Sequence, residues 1–329
     1  MFKLLLGRAG AGKTTAVLDR LCAAGEGQVL LTPEQMSHET ERALCKVGGP
    51  QINLRAEVLS FSRLANRIFQ AAGGLGEEEL DAGGRLLLMH RAVRGAAPGL
   101  RVYGRPSKRP AFLSALIATA DELKSCCVPP EVLVRAGEDS PGAEGDKLRD
   151  LGLILGEYQA LTEQTALDPR DRLTRAAERL RACGWGYGKD LWLDGFTDFT
   201  PQQGELLRVL MGQARSMTVT LTCDHLEEDE GGSGVFSPAR RTAAALLRLA
   251  EKERIPCEVE HLVSPCAGKV KPLMYLEKSL FGEEAVRPEP CEGSVELFQA
   301  SDPRGEVEWT AARILQLVRS GEYRFRDIG

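Results

Sequence analysis

The opening of the chain, "MFKLLLGRAGAGKTTAVLDRL", sets a glycine-rich loop between an apolar stretch and a helix-forming one. Gly7, Gly12, Lys13 and Thr14 satisfy the spacing G-x-x-x-x-G-K-[ST], which requires a strand before the loop and a helix after it. Glycines let backbone N–H groups approach phosphate oxygens, the lysine places a cation near the β- and γ-phosphates, and the threonine hydroxyl coordinates Mg²⁺. The segment therefore predicts an α/β fold with a nucleotide phosphate site after its first strand.

The predicted nucleotide site comprises Gly7, Gly10, Ala11, Gly12, Lys13, Thr14 and Thr15. The alternative is a glycine-rich turn that only joins a strand to a helix. Because strand, loop and helix signals occur in the required order, the pattern favours nucleotide binding, with ATP and Mg²⁺ as the expected cofactors.

Strands and helices alternate through the first 72 residues. "QVLLT" and "AEVLSF" read as buried strands, and "EQMSHETERALCKV" and "SRLANRIFQAA" have helical spacing. Short apolar strands joined by helices predict a parallel sheet covered on both faces.

From Glu77 to Ala182 the pattern is helical, with no convincing strand. The candidates are "GGRLLLMHRAVRGA", "AFLSALIATADELKSCC", "DKLRDLGLILGEYQALTEQT" and "DRLTRAAERLRAC". In the first of them, Leu86, Leu87, Met89, His90 and Val93 are expected to form the apolar face.

The α/β pattern resumes at "DLWLDGF" and continues through the helix "PQQGELLRVLMGQA" to the strand "SMTVTLTCD". The helix "PARRTAAALLRLAEKERI" and the strand "CEVEHL" follow. After a proline-containing connection, "SVELFQAS" is expected to form another strand and "PRGEVEWTAARILQLVRS" another helix.

Composition narrows the class of protein. The 329 residues are 43% hydrophobic and 27% charged, with a formal net charge of −5, which argues against a generally basic nucleic-acid coat but not against a local groove. No apolar run reaches about 18 residues and no signal-peptide cleavage pattern opens the chain, so no membrane contact is expected. The nine cysteines show no Cys-x-x-Cys spacing, so we expect reduced thiols in the cytoplasm and no zinc or iron–sulfur ligation within this chain.

A second acidic position follows the strand in "LWLDGFTDFTPQQ". Asp194, with Thr14, is the predicted Mg²⁺ ligand, because nucleotide hydrolases hold the metal with an aspartate after a neighbouring strand. Alternatively, Asp194 is only a turn residue at the end of a strand, before a glycine. In helicase-like P-loop NTPases, a glutamate directly after this aspartate is known to polarise the attacking water. Gly195 stands at that position here, and Asp198 is four residues from Asp194. Without a general base we expect weak hydrolysis or none, and no residue is assigned a catalytic role.

Five stretches together resemble the N-terminal part of the AddB family, the B subunits of bacterial ATP-dependent helicase/deoxyribonucleases. They are "GRAGAGKT", "LLTPEQMSHETERAL", "VLSFSRLANRIFQAAGG", "LWLDGFTDFTPQQ" and "EVEWTAARILQLVRSGEYRFRDIG", and they span the whole chain. The resemblance implies a superfamily-1 helicase architecture. Residues 1–76 and 185–270 would form a RecA-like P-loop domain (1A-like), 77–184 a helical insertion (1B-like), 271–293 a linker, and 294–329 the beginning of a second RecA-like domain.

The resemblance also implies a role and partners. Family members work as heterodimers with an AddA subunit and process double-strand DNA ends for recombinational repair, and their helicase-like half reads the Chi hotspot in single-stranded DNA. Their iron–sulfur cluster belongs to a C-terminal nuclease domain that lies outside this sequence. This fragment would therefore bind ATP, hydrolyse little of it and contact DNA.

Residues after the second, third and fourth predicted strands are the implied DNA contacts, namely Gln35, Ser37, Phe61, Arg63, Asn66, Phe196 and Phe199. Aromatic rings can stack on bases, arginine can contact phosphate or guanine, and amides can bond to base edges. Phe61 and Phe199 can equally be core residues. Asn66 departs from the tryptophan that relatives often carry, which puts the strength or sequence of hotspot recognition in doubt. The basic run "RVYGRPSKRP" is either a solvated loop or a segment that binds the phosphate backbone of DNA.

Three other functions stay open at this stage. One is an autonomous superfamily-1 helicase or ATPase, which the missing glutamate argues against. Another is a P-loop kinase for a small molecule, which has no need of a helical insertion of about 100 residues. The third is a scaffold whose P-loop has lost its ligand.

Overall fold

The computed structural model describes residues 1–104, 109–227, 234–262, 271–280 and 295–329. The chain divides into two compact units, Met1–Ala267 and Gly268–Gly329. Among the described residues, no helix combines the length and the apolar content that crossing a bilayer requires.

The first unit is built on a six-stranded sheet in which every strand pair is parallel. Its strands are β1 (Phe2–Gly7), β2 (Gln28–Leu31), β3 (Ala56–Leu59), β4 (Asp190–Leu193), β5 (Ser216–Thr222) and β6 (Cys257–His261). Their order across the sheet is β3-β2-β4-β5-β1-β6, so β5 lies between the P-loop strand and β4. The predicted α/β class and the six strands predicted in this unit are confirmed.

Helices cover both faces of this sheet, because successive strand side chains point to opposite sides. Leu5 packs with α1 (Lys13–Ala23) and α2 (Ser37–Gly48), whereas Leu4 and Leu6 belong to the core on the other face. That second core includes α3 (Phe61–Ala72) and three helices named in chain order below. A parallel sheet buried on both faces is the arrangement expected for strands this continuously apolar.

The helical part holds a core of its own. It contains α4 (Ala82–Ala96), α5 (Pro110–Ser125), α6 (Pro130–Asp139) and α7 (Ala143–Thr165). The predicted apolar face of α4 is partly wrong, since Leu86 and Leu87 are 37% and 63% exposed and His90 is exposed as well. Met89 and Val93 are buried as predicted, and Leu88 is buried with them, because these residues follow the helical repeat of three to four residues toward α7.

Sequence reasoning missed α6, whose Pro129–Pro130 start reads as a turn although proline is favoured in the first turn of a helix. It packs very closely on α7 through small residues. A Cβ added at Gly137 would lie 2.6 Å from the carbonyl oxygen of Gly145, and one at Gly152 would lie 2.9 Å from that of Pro130. Glycine at these points therefore sets the distance between the two helices.

The chain returns to the sheet through α8 (Arg172–Cys183), α9 (Pro201–Gln213) and α10 (Ser237–Lys252). These three helices share the core that contains α3. Ala176, Ala177 and Leu180 of α8 are fully buried in it, so α8 packs with the sheet and not with the helical core.

The second unit contains α11 (Lys271–Leu280) and α12 (Pro303–Arg319). Helix α11 lies in the segment predicted as a linker. The strand expected from "SVELFQAS" is wrong for residues 295–301, which carry no strand pairing in the described part of the chain. The rings of Phe298 and Trp309 stack there, 4.3 Å between centroids and 3° from parallel, and a strand needs a neighbouring strand to satisfy its peptide groups.

Candidate phosphate-binding site

The carboxyl ends of parallel strands meet at one edge of a sheet, and the predicted site residues of this chain follow four of these strand ends. The P-loop follows β1, Gln35 and Ser37 follow β2, and Asp194 follows β4. Helix α3 begins directly after β3. Parallel topology therefore brings segments almost 200 positions apart in sequence to one edge, the usual location of ligands in such sheets.

The loop between β1 and α1 has the backbone shape that its glycines permit. Gly10 and Gly12 have φ values of 77° and 83°, in the left-handed region that favours glycine. Helix α1 starts at Lys13 without a side-chain cap, and the first N–H groups of a helix have no partner within the helix itself. Ala11 is buried, while Gly10, Gly12, Thr14 and Thr15 are exposed. The loop is therefore open to solvent along most of its length.

The Lys13 side chain curls back over the loop from which it projects. Its Nζ donates to the carbonyl oxygen of Gly7 at 2.7 Å and to that of Arg8 at 3.0 Å. This places the ammonium group at the mouth of the loop, where a phosphate would arrive.

Thr14 and Asp194 form the central contact of the site. The Thr14 hydroxyl donates to the Asp194 carboxylate at 2.7 Å, and Thr220 on β5 donates to the other carboxylate oxygen. The Asp194 N–H donates to the carbonyl oxygen of Leu31, so the backbone is held too. A hydroxyl and a carboxylate are oxygen ligands suited to Mg²⁺, and this pair fits the predicted metal position.

Gly195 follows Asp194 in a conformation that constrains what can replace it. Its φ is 83°, and a Cβ added there would lie 3.1 Å from the Met36 sulfur and 3.3 Å from Pro33 Cδ. A glutamate at this position would meet both backbone strain and this contact. The next nearby carboxylate in sequence, Asp198, is exposed.

Sequence reasoning missed an ionic cluster beside the P-loop. Asp224 follows β5 and pairs with Arg8 of the P-loop at 3.3 Å and with Arg240 of α10 at 2.8 Å. Burial raises the pKa of the Asp224 carboxyl, but the bonds from Arg240 and from the His225 N–H outweigh it, and the pKa lies below its ordinary value. Arg8 also lies over the Phe236 ring, 5.6 Å from its centroid. The sequence did contain one signal for this cluster, which is an aspartate after β5, the strand that pairs with β1.

The three phenylalanines predicted to face DNA lie together. Phe61 meets Phe196 at 5.5 Å and Phe199 at 6.2 Å between ring centroids, in edge-on geometry. Phe61 is only 7% exposed and belongs to the sheet core, whereas Phe196 and Phe199 are partly buried against it. Of the three rings, Phe196 and Phe199 are therefore the ones exposed enough to stack on a base, and Phe61 packs against both of them.

Local capping fixes this aromatic group. Thr200 and Gln203 form a reciprocal capping box at the start of α9, directly after Phe199. Ser60 caps α3 by accepting from the N–H of Arg63, directly before Phe61. Both rings are thus anchored at helix starts, where the chain direction is set.

Three of the four polar candidates have partners within the chain. Ser37 donates to the Glu34 carbonyl oxygen at 2.9 Å, and Gln35 beside it is exposed. Arg63 pairs with Glu41 at 2.6 Å. Asn66 accepts a hydrogen bond from Arg172 of α8.

The described part of the basic run "RVYGRPSKRP" is held by hydrogen bonds from its backbone. The buried carboxylate of Asp150 accepts the N–H groups of Arg101, Val102 and Tyr103 at 2.7 to 3.0 Å. Two cations of the run, Arg105 and Lys108, lie outside the described residues.

Comparison with known proteins matches residues 4–277 to the family model described as "ADDB, N-terminal". Three relatives are each named as the B subunit of an ATP-dependent helicase/deoxyribonuclease. That of Pelotomaculum thermopropionicum is 34% identical, and those of Thermoanaerobacter sp. (strain X514) and Heliobacterium modesticaldum are 33% identical. Each match covers 99% of this chain and 28% to 30% of the relative, so the chain spans less than a third of their length. The chain belongs to the AddB N-terminal family.

Proposed function

We propose that this chain is the helicase-like, nucleotide-binding front of the B subunit of an ATP-dependent helicase/deoxyribonuclease. The observation that carries the proposal is the contact of Thr14 with Asp194 beside an open glycine-rich loop. Lys13 and the first N–H groups of α1 would bind the phosphates of ATP, and Thr14 with Asp194 would hold Mg²⁺ directly or through water. The metal would neutralise charge on the phosphate oxygens.

A RecA-like sheet is the architecture that this proposal requires. In support, β5 lies between the P-loop strand β1 and the strand β4 that ends at the acidic residue, so the carboxylate of Asp194 reaches Thr14 across one strand. The helical part would then correspond to the 1B-like insertion, and residues 294–329 of the second unit would be the beginning of a second RecA-like domain.

The chain would bind ATP and hydrolyse little of it. A general base contributes about 10²- to 10⁴-fold to rate, and Gly195 offers none. Its positive φ and its packing on Met36 make the position unsuited to a glutamate. The nucleotide would therefore serve structure or regulation, and an AddA subunit would supply most of the motor activity.

Single-stranded DNA would cross the carboxyl edge of the sheet. Phe196 and Phe199 offer partly exposed rings, Gln35 offers an exposed amide, and Arg63 adds a cation at the same edge. By family likeness the DNA would be read for a Chi sequence during the processing of double-strand ends, in the cytoplasm.

Isothermal titration calorimetry with ATP and Mg²⁺ tests the proposal. The chain should bind ATP, and Lys13→Ala should abolish binding without changing the melting temperature. Lys252→Ala, on the exposed end of α10, is the matched control and should bind like the parent. Equal ATP affinity in the parent and Lys13→Ala would refute the phosphate site. DNA-stimulated turnover above about 1 s⁻¹ would favour an autonomous ATPase instead.

A further inference from the structure

Strand β3 forms one end of the sheet, and in the described part of the chain it pairs with β2 alone. The Gln28 N–H donates to the Arg55 carbonyl oxygen at 2.9 Å, and the Thr32 N–H donates to that of Leu59 at 3.0 Å. In a parallel pair, alternate residues of a strand face its partner. Residues 55, 57 and 59 therefore turn toward β2.

The peptide groups of Ala56 and Val58 consequently point away from the sheet. Each offers one N–H donor and one carbonyl acceptor along an edge that a further strand can pair with. Their side chains are part of the core beneath α2, so the strand is held rigidly in place. Main-chain pairing at such an edge is a recurring mode of peptide recognition.

A groove of about 650 Å³ lies beside this edge, and we call it the β3 groove. Its floor includes Ala56, Val58 and Leu59, and its walls come from α2 and α3. Five of its lining residues are basic or can become cationic, namely His38, Arg42, Lys46, Arg63 and Arg67. Two are acidic, Glu41 and Glu57.

The two acids are already engaged. Arg63 pairs with Glu41 at 2.6 Å and Arg67 pairs with Glu57 at 3.0 Å. Arg42 and Lys46 lie four positions apart on α2, and neither has a carboxylate within 4.0 Å among the described residues. The β3 groove therefore carries two uncompensated positive charges beside an unpaired strand edge.

We propose that the β3 groove binds an extended, acidic segment of another polypeptide, which adds to β3 as a seventh strand. Its backbone would pair with the outward peptide groups of Ala56 and Val58, and its carboxylates would lie against Arg42 and Lys46. Ala56 and Val58 are 4% and 5% exposed, so the incoming strand displaces the long side chains that line the groove. Those side chains can swing about several single bonds.

The chemistry of the lining favours a peptide over a nucleic acid. Single-stranded nucleic acid is bound by aromatic platforms together with cations, and among the described residues no phenylalanine, tyrosine or tryptophan lines the β3 groove. A sheet edge also gives an extended peptide directional main-chain hydrogen bonds, which the sugar-phosphate backbone of a nucleic acid does not form. This surface lies outside the phosphate site and does not depend on nucleotide binding.

The test uses the whole chain and a fluorescein-labelled decapeptide of alternating glutamate and threonine. Anisotropy should report saturable binding, weakened at least about tenfold in the double variant Arg42→Glu/Lys46→Glu. Arg241→Glu/Arg248→Glu makes the same charge change on the exposed face of α10 and should leave the affinity within about twofold of the parent, since surface charges act locally. Hydrogen exchange of the Val58 amide should slow when the peptide binds.

A second peptide, N-methylated at every backbone amide, has the same charge but has no N–H donor along either edge. It should not bind, and equal binding of both peptides would overturn strand addition in favour of charge attraction alone. Preferential capture of a thymidine decanucleotide, lost in Arg42→Glu/Lys46→Glu, would overturn the choice of a peptide. Self-association of the chain that the same variant abolishes would identify a second copy as the occupant and would also overturn it.

Discussion

The hydroxyl of Thr14 lies 2.7 Å from the carboxylate of Asp194, although 180 positions separate the two residues. The contact joins the start of α1 to the end of β4. It brings two separate sequence motifs together and places a hydroxyl beside a carboxylate, the kinds of oxygen ligand that Mg²⁺ prefers.

The Asp194 carboxylate should control the metal dependence of nucleotide binding. We expect Asp194→Asn to weaken Mg²⁺-dependent ATP binding by about 10- to 100-fold, because the charge that holds the ion is lost. Calorimetry at fixed ATP with varied Mg²⁺ measures this. Asp198→Asn, four positions away and exposed, should leave binding unchanged, and an equal loss in both variants would contradict a specific metal role.

Glycine at position 195 should matter for folding more than for chemistry. Gly195→Ala should lower the free energy of unfolding by about 1–2 kcal/mol, because a left-handed conformation is unfavourable for residues with a Cβ. Gly204→Ala, in α9 with no described atom within 4 Å of its added Cβ, should be neutral or stabilising by up to about 1 kcal/mol.

Urea denaturation followed by circular dichroism compares the two glycine variants. Gly195→Glu should in addition fail to give brisk ATP hydrolysis. Rapid turnover in Gly195→Glu would show that the missing carboxylate alone limits the reaction.

The close packing of α6 on α7 should be sensitive to a single methyl group. Gly152→Ala should destabilise the chain by about 1–3 kcal/mol, because its Cβ would lie 2.9 Å from both the Pro130 carbonyl oxygen and the Val134 nitrogen. Gly156→Ala, one turn later on α7, meets its nearest neighbour at 3.9 Å and should stabilise by up to about 1 kcal/mol. Chemical denaturation of the two variants measures both signs, and equal effects would argue against this helix contact.

Asp168 should connect the stability of the helical part to pH. Its buried carboxylate accepts from Lys124 and Tyr158 at 3.0 Å each and lies 3.3 Å from Nε of Arg85. Burial raises the pKa of Asp168, but the Arg170 N–H and the Lys124 ammonium outweigh it, so the pKa lies below its ordinary value. A lowered pKa contributes stability above the unfolded-state pKa of about 4, and this stability is lost as the pH falls through the folded-state pKa.

Asp168→Asn should therefore cost about 1–3 kcal/mol at neutral pH, because Arg85 and Lys124 lose one carboxylate partner and keep only Asp121 and Asp171. The difference from the parent should shrink as the pH falls below about 4. Thermal unfolding between neutral and acid pH measures it. Asp146→Asn removes an exposed pair with Arg101 and should unfold like the parent, and a pH-independent deficit in Asp168→Asn would contradict the assignment.

The aromatic group after β4 should contribute to single-strand binding. Phe199→Leu should weaken binding of a fluorescent oligothymidine by about 1–3 kcal/mol, because leucine keeps the apolar packing and loses the stacking face. Phe61→Leu, deeper in the core, should have a smaller effect on DNA affinity. Anisotropy titrations compare the two, and an effect confined to Phe61→Leu would reverse the assignment.

Local sequence determined much of this protein. Apolar runs bounded by glycine and proline predicted the six strands of the sheet, and the spacing of Gly7, Gly12, Lys13 and Thr14 predicted the loop and the helix after it. These features depend on backbone preferences and on side-chain periodicity within a few residues, which a single sequence displays directly. The aspartate after β4 could be proposed by the same reasoning.

Only the tertiary structure decided which distant groups meet. The pairing of Thr14 with Asp194, the ties from Asp224 to Arg8 and Arg240, and the burial of Phe61 beneath Phe199 all depend on the order of the strands. Periodicity also placed Leu86 and Leu87 of α4 in a core that they do not join, because the position of α7 selects the buried face. Strand order and helix packing are set by long-range burial of apolar surface, which no short stretch of sequence records.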